Sequence, residues 1–394
     1  MKVGIYLNIP DPTSGGAGSL LSTINEEIKS SNDNIHDFVF LYEGKKSDGF
    51  FKEIDGMYYY NIGYFRPFII VRVINKLLRI IKIKTNRINP FDLIIKKTAI
   101  DITWMVQPCC VNTKYPYIYT IWDLGHRTTP YFPEVSRTGW LWQEREDTYQ
   151  KMVFKASYII TGNEEGKQEI LQNYNVNPQK IFISSFPVAK FCKGEEIHPD
   201  FELPEYYFFY PAQFWPHKNH IRIVQAVKLL KDQGIDVTVY FTGADKGNKS
   251  YIEEKIKELN LSDNIKFTGF LKDEELKYLY SHATAMIFAS LMGPNNMPPI
   301  EATYLNCPVI ITDLNGHKEQ LGDSALYFDG LNSVDLADKM KMILKDENLR
   351  DNLKQRQQDL KENFADINYF DKIKTVLDEF SKVRETWGND YVHL

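Results

Sequence analysis

Residues Ala285 to Asp313 read AMIFASLMGPNNMPPIEATYLNCPVIITD. The stretch holds two short apolar runs, AMIFAS and PVIITD, each of strand length, as suits strands covered on both faces. Between them GPNNMPP interrupts the first run and IEATYLN follows at helical spacing. Strand, turn, helix and strand in so short a span make the unit of a parallel sheet, whose strands need a crossover connection. Pro298 and Pro299 fit the first helical turn, where a missing N–H is harmless. Glu301 is the only acid before Asp313 and reads as lying in that first turn. It suits either the helix dipole or the vicinal hydroxyls of a ribose.

The same alternation extends in both directions. YYFFYPA, VTVYFTG, IKFTGF and ALYFD read as further strands of this half, separated by the helical patterns HIRIVQAVKLLKDQG, KSYIEEKIKELNL and DEELKYLYSHA. Upstream, KVGIYLNI, DFVFLYE, MYYYNIG, IDITWMV, YIYTIWD and YIITG repeat the theme. Two such blocks in 394 residues predict two doubly wound α/β domains. The pattern breaks at FPVAKFCKGEEIHPDFELPE, so the first domain is expected over 1–187 and the second over 188–370. Residues 371–394 then form a C-terminal segment, mostly an amphipathic helix expected to pack back on the first domain.

Composition narrows the function. A net charge of −5 argues against bulk nucleic-acid binding, which needs a basic footprint. The four cysteines, Cys109, Cys110, Cys192 and Cys307, lack zinc-like spacing and point to a reducing compartment. The first residues, MKVGIYLNIPDP, read as a strand beginning at residue 2 rather than a signal peptide, and no apolar run reaches about 20 residues. The expected location is cytoplasmic. One segment, Arg66 to Arg87, sets Arg72, Lys76 and Arg79 against an Ile/Val/Leu face. It reads equally as a contact with the inner membrane face and as a surface helix of the first domain.

Ligands of doubly wound sheets bind beyond the carboxyl ends of strands, at helix N-termini. Four loops occupy such positions. The first carries Gly15, Gly16 and Gly18 ahead of a helix, without the spacing of a dinucleotide fingerprint or a P-loop. The second, WDLGHR, places Asp123 and His126 at a strand exit, either as a ligand-side pair or as a loop cap and a packed ring. The third, PHKNH, sets Lys218 over a helix start as an anion clamp, with Asn219 as the alternative helix cap. The fourth is GPNNMPPIE, whose residues Gly293 to Met297 would turn backbone amides toward a ligand.

From Tyr206 to roughly Asp371 these stretches resemble, in order and spacing, the nucleotide-sugar-binding domain of family 4 glycosyltransferases. The resemblance is weaker but consistent through the first half. It implies the GT-B architecture, two facing Rossmann-like domains. It also implies transfer, with retention of configuration, of a hexose or deoxyhexose from a nucleotide-sugar to a glycan or lipid-linked glycan, as in bacterial surface polysaccharide assembly. Glu301 matches the second acid of the family's E-x7-E motif, the ribose binder. Lys218 matches the lysine facing the donor diphosphate, Gly16 the glycine loop beside the phosphates, and His126 or Asp123 the acceptor-side group near the reacting sugar. Trp122 stands where the usual histidine of a His-Asp pair would be.

Two positions depart. The first acid of E-x7-E is replaced by Gly293, and the usual arginine by Gln213. The turn GPNN resembles a sub-branch in which Asn295, Asn296 and backbone amides serve the donor sugar. The expected donor set is therefore Gly15, Gly16, Gln213, Lys218, Asn295, Asn296, Met297 and Glu301, and the expected catalytic set His126, Asp123 and Lys218. No D-x-D sequence occurs, so no metal or other cofactor is expected. A sugar-nucleotide epimerase of the same architecture and a non-catalytic donor-binding partner are the alternatives.

Overall fold

The computed structural model describes residues 1–7, 16–31, 35–45, 49–54, 57–62, 89–365 and 369–388. The segment 66–87 and the residue Gly15 lie outside the described residues.

The described residues form two sheets. The first runs β3-β4-β2-β1-β5-β6-β7-β8. Its strands are β1 (Lys2–Tyr6), β2 (Asp37–Tyr42), β3 (Phe51–Ile54), β4 (Met57–Asn61), β5 (Ile102–Met105), β6 (Tyr117–Thr120), β7 (Tyr158–Thr161) and β8 (Ile181–Ile183). Every pairing is parallel except the edge hairpin β3–β4. The second sheet runs β11-β10-β9-β12-β13-β14. Its strands are β9 (Tyr207–Pro211), β10 (Thr238–Thr242), β11 (Ile265–Gly269), β12 (Ala285–Phe288), β13 (Val309–Thr312) and β14 (Ala325–Phe328), all parallel. Strands β12 and β13 are buried at every position, as helices on both faces of a parallel sheet require.

The helices that bear on the site are α1 (Gly16–Ser30), α2 (Trp142–Met152), α3 (Glu164–Asn173), α4 (His220–Asp232), α5 (Met297–Tyr304), α6 (Asn315–Leu321) and α7 (Tyr369–Arg384). In the second sheet, order reverses between β9 and β12. The loop leaving β9 holds Lys218 and the loop leaving β12 holds GPNN, so the two loops sit side by side where such folds bind ligands.

Helix α7 buries Tyr369, Phe370, Ile373, Val376, Leu377 and Phe380, a helical stripe. The stripe meets first-sheet residues: Trp104 stacks over Tyr369 and Phe370 at 6.1 and 6.2 Å, and Phe38 meets Phe370 at 5.2 Å. Arg384 Nε donates to Asp101 at 2.7 Å and fixes the far end. No described helix is long and apolar enough to cross a membrane.

Candidate active site

The loop after β9 makes one 3-10 turn, Pro216–Lys218, and then Asn219 enters the left-handed region at φ 57°. Asn219 caps nothing with its side chain. Its Nδ2 donates instead to the carbonyls of Ala289 (3.2 Å) and Gly330 (2.8 Å), tying the loop to the end of β12 and to the turn after β14. The Tyr210 hydroxyl donates to the Lys218 carbonyl, and the Leu291 N–H to that of His217 at 2.9 Å. So fastened, the loop presents the Lys218 ammonium to Ser290 Oγ and Asn296 Oδ1, each at 3.4 Å, and 4.8 Å over the Phe288 ring. These hydrogen-bond partners are neutral. Burial draws the Lys218 amine down to about 8, while the charges of Asp123 and Glu134 pull the other way.

The GPNN turn is built around Asn296. Gly293 has φ +108°, a conformation that disfavours any side chain, and an added Cβ would lie 3.0 Å from Asn296 Nδ2. The Asn296 carboxamide thus fills space beside the position of the missing acid. Its orientation is set by His317, which is fully buried. Nδ1 of His317 donates to the Thr312 carbonyl at 2.9 Å, so Nε2 is free to accept from Asn296 Nδ2 at 3.1 Å. Burial lowers the His317 pKa to about 4, which keeps the ring neutral. With Nδ2 so engaged, Oδ1 of Asn296 faces Lys218. Gln320 Nε2 donates to the Asn296 carbonyl at 2.9 Å and to Asn295 Oδ1.

Asn295, expected to face the donor, is enclosed. Its carboxamide lies between Gln320 and the first-domain residue Gly162, where an added Cβ would overlap Asn295 Nδ2. Glu301 lies in the second turn of α5, not the first, because that helix begins at Met297. It is 5% exposed, and Oε2 accepts from the Tyr280 hydroxyl at 2.7 Å. Burial pushes its carboxyl up to about 7, against the lowering effect of Tyr280. Met297 opens α5 with its side chain in the core, and Gln213 accepts from Trp215 Nε1 at 3.1 Å. Gly16 begins α1, which approaches α5 from the first domain.

The first-domain pair divides. Asp123 Oδ1 accepts from the Gly125 N–H and from Arg145 Nη2, each at 2.7 Å. Burial works to raise its pKa, but Arg145 outweighs it and holds Asp123 below the usual range. His126, expected beside the reacting sugar, is wholly buried instead. The short helix Gly125–Thr128 turns its ring onto α2, where Nε2 meets Glu146 at 3.0 Å and the ring stacks 5.2 Å from Tyr149. That enclosure leaves Asp123 as the member of the pair whose charge reaches Lys218.

Three contacts across the cleft were not legible in the residues alone. Glu134 Oε1 accepts from the His217 N–H at 2.9 Å and from Nδ1 at 2.5 Å. Asn163 Nδ2 donates to the Pro294 carbonyl at 2.6 Å. Glu319 caps α3 from the other domain, its carboxylate accepting from the N–H groups of Glu164 (2.6 Å) and Glu165 (2.9 Å). The turn is also held from behind: a Cβ on Gly316 would overlap the Pro294 carbonyl oxygen. Gly316→Ala is therefore expected to cost about 1–3 kcal/mol by overpacking and to lower donor affinity, both measurable by thermal unfolding and calorimetry.

Residues 195–360 match the family described as Glycosyl transferases group 1. The chain is 29% identical over 180 residues to the O-antigen chain mannosyltransferase RfbU of Salmonella typhimurium, covering 44% of this chain and 47% of that protein. It is 32% identical over 123 residues to the serotype-specific mannosyltransferase WbdA of Escherichia coli, covering 31% of this chain and 15% of that one. The matches thus span about half or less of these relatives. Sucrose-phosphate synthase from Thermosynechococcus elongatus superposes with a TM-score of 0.71 at 13% identity, covering 98% of this chain and 100% of that one. Anabaena HepE, solved with UDP, gives 0.64 at 14% identity, covering 97% and 100%. The architecture is GT-B, two Rossmann-like domains facing across a cleft.

Proposed function

We propose that the chain is a metal-independent, retaining glycosyltransferase that moves a hexose from a nucleotide-sugar to a glycan or lipid-linked glycan, with the domain boundary near residue 188. Mannose is the first sugar to test, because two of the most similar proteins are named for mannosyl transfer. One observation carries the reading. A partly buried ammonium, Lys218, stands at the switch point of the second sheet beside the N-terminus of α5, with uncharged hydrogen-bond partners. An anion is the ligand that suits such an ammonium beside a helix N-terminus.

Sugar transfer from such a donor develops positive charge on the ring and negative charge on the departing diphosphate. Lys218 and the amides opening α5 oppose the second charge, in a partly water-excluded site where a fixed dipole acts strongly. The acceptor hydroxyl attacks from the face that the diphosphate leaves, and a phosphate oxygen takes its proton. Asp123 orients donor sugar or acceptor from the first domain, while His126 supports it from within. Glu301 accepts the ribose hydroxyls, and Asn296 holds Lys218 and the sugar side of the turn in the manner of the Gly-Pro-x-Asn sub-branch.

A thermal-shift panel of UDP, GDP, dTDP and ADP sugars tests the donor site, since a ligand of the folded state raises its melting temperature. GDP-mannose is expected to give the largest rise, roughly 3–6 °C at a hundredfold excess over Kd for a chain of this size. A flat panel at millimolar concentration would remove the donor-site reading.

A further inference from the structure

Glu134 belongs to no part of the scheme above, yet it is the first-domain carboxylate set against the Lys218 loop. It lies in the short helix Pro133–Ser136 and is 7% exposed. One oxygen is spent on His217, main chain and ring together; the other, Oε2, is buried without a hydrogen-bond partner among the described residues. Buried carboxylate oxygens are rarely left so. Burial works to raise the Glu134 pKa, but the two His217 donors outweigh it and keep the group ionised. The second domain already fastens this loop through Tyr210, Asn219 and Leu291. A further anchor from the opposite domain is superfluous for the fold of that loop, so its consequence lies in charge and in the register of the two domains.

We propose that Glu134 is a positioning residue of the donor site, reaching across the cleft to hold the His217–Lys218 loop and to supply the negative charge that the Lys218 ammonium faces. The groups around that ammonium are Asp123 and Glu134 from the first domain and His217, His220 and His317 from the second. The three imidazoles are neutral, each held well below its usual range, first by burial. Among the described residues the two acids therefore sustain the charge on Lys218, and both come from the other domain. Separating the domains removes them together. Lys218 therefore holds its proton most firmly when the first-domain acids stand against it.

The consequence for catalysis rests on the proposed donor reading; the placement of Glu134 does not. The test is the pH dependence of Lys218 acylation, read by peptide mass spectrometry in the full chain, with GDP and UDP affinities by calorimetry alongside. The wild-type midpoint is expected near 8, and Glu134→Gln is expected to lower it by roughly one pH unit. Glu134→Asp keeps the charge but shortens the reach. It is expected to leave the midpoint within a few tenths of a unit, by the same charge argument, and to weaken nucleotide binding roughly tenfold or more. An unmoved midpoint in folded Glu134→Gln overturns the assignment. So does wild-type nucleotide affinity in Glu134→Asp, which decides the matter if the glutamine variant does not fold. A lowered midpoint with no GDP or UDP binding by the wild type supports the placement of Glu134 and removes the donor reading instead.

Discussion

Lys218→Met is expected to lower sugar transfer at least tenfold, and nearer a hundredfold, while raising the temperature at which the protein unfolds. In the proposed scheme the loss follows from removing an ammonium that meets the leaving diphosphate, since a single fixed donor at such a charge is worth about 10²–10³ in rate. The gain in stability follows from burial. The Lys218 amine titrates near 8 in the folded chain against an ordinary 10.5. Below pH 8 the native state carries a charge it holds less readily than the unfolded chain does. That penalty is fully present below about 8 and disappears as pH rises toward 10.5. It is worth about 1–3 kcal/mol, and methionine removes it. Phe288, under the ammonium, accepts an apolar replacement. Steady-state transfer and urea unfolding at pH 7 read both effects. A variant that is less stable and fully active would place Lys218 among the structural residues. In the wild type, donor affinity is expected to decline as pH rises through about 8, where the free protein loses the proton.

Glu301→Gln is expected to show the same opposition of stability and activity, with the pH dependence reversed. Glu301 titrates near 7 when folded, against 4.5 ordinarily, first because of burial. A raised carboxyl binds its proton more tightly in the native state, so stability falls as pH rises from about 4.5 to 7, and the penalty is full above that. Glutamine keeps an oxygen for the Tyr280 hydroxyl and cannot ionise. Unfolding at pH 8 should then require about 1–3 kcal/mol more than wild type, and at pH 5 less than half of that difference should remain. In the proposed donor site, affinity should fall roughly tenfold, because a charged acceptor for the ribose hydroxyls becomes a neutral one. A glutamine variant with unaltered donor affinity removes Glu301 from the site. Two buried groups with strongly shifted pKa values, one on the loop after β9 and one on the helix after β12, are the pattern expected of functional residues.

Much of the architecture was legible because parallel strands buried on both faces announce themselves. AMIF and VIIT are uninterrupted apolar runs, and the loops between such runs mark the ligand edge. Strands β3 and β8 escaped notice because FKEI and IFI are too short to show a period, and β3 pairs only at an edge. The site was half visible. Lys218 and Asn296 lie one loop apart at the switch point, so strand order alone brings them together. A strand exit does not say which way a one-turn helix rotates its side chain, and the His126 ring packs on Tyr149 and Glu146 of α2. That helix reads as a polar surface element, WQEREDTYQKM, yet it buries Arg145 and Glu146 as successive residues, one serving Asp123 and the other His126. Glu134, Asn163 and Glu319 act only across the cleft, between residues separated by 83, 131 and about 155 positions. No local pattern encodes such pairs.

The most direct test is release of nucleoside diphosphate from GDP-mannose, UDP-, dTDP- and ADP-sugars, measured with and without an added glycan acceptor, for wild type and Lys218→Met side by side. Release by the wild type from one donor, dependent on the glycan and reduced at least tenfold in the variant, is the expected result. Release that ignores the glycan, or that Lys218→Met leaves untouched, would contradict a transferase whose leaving group is held at Lys218.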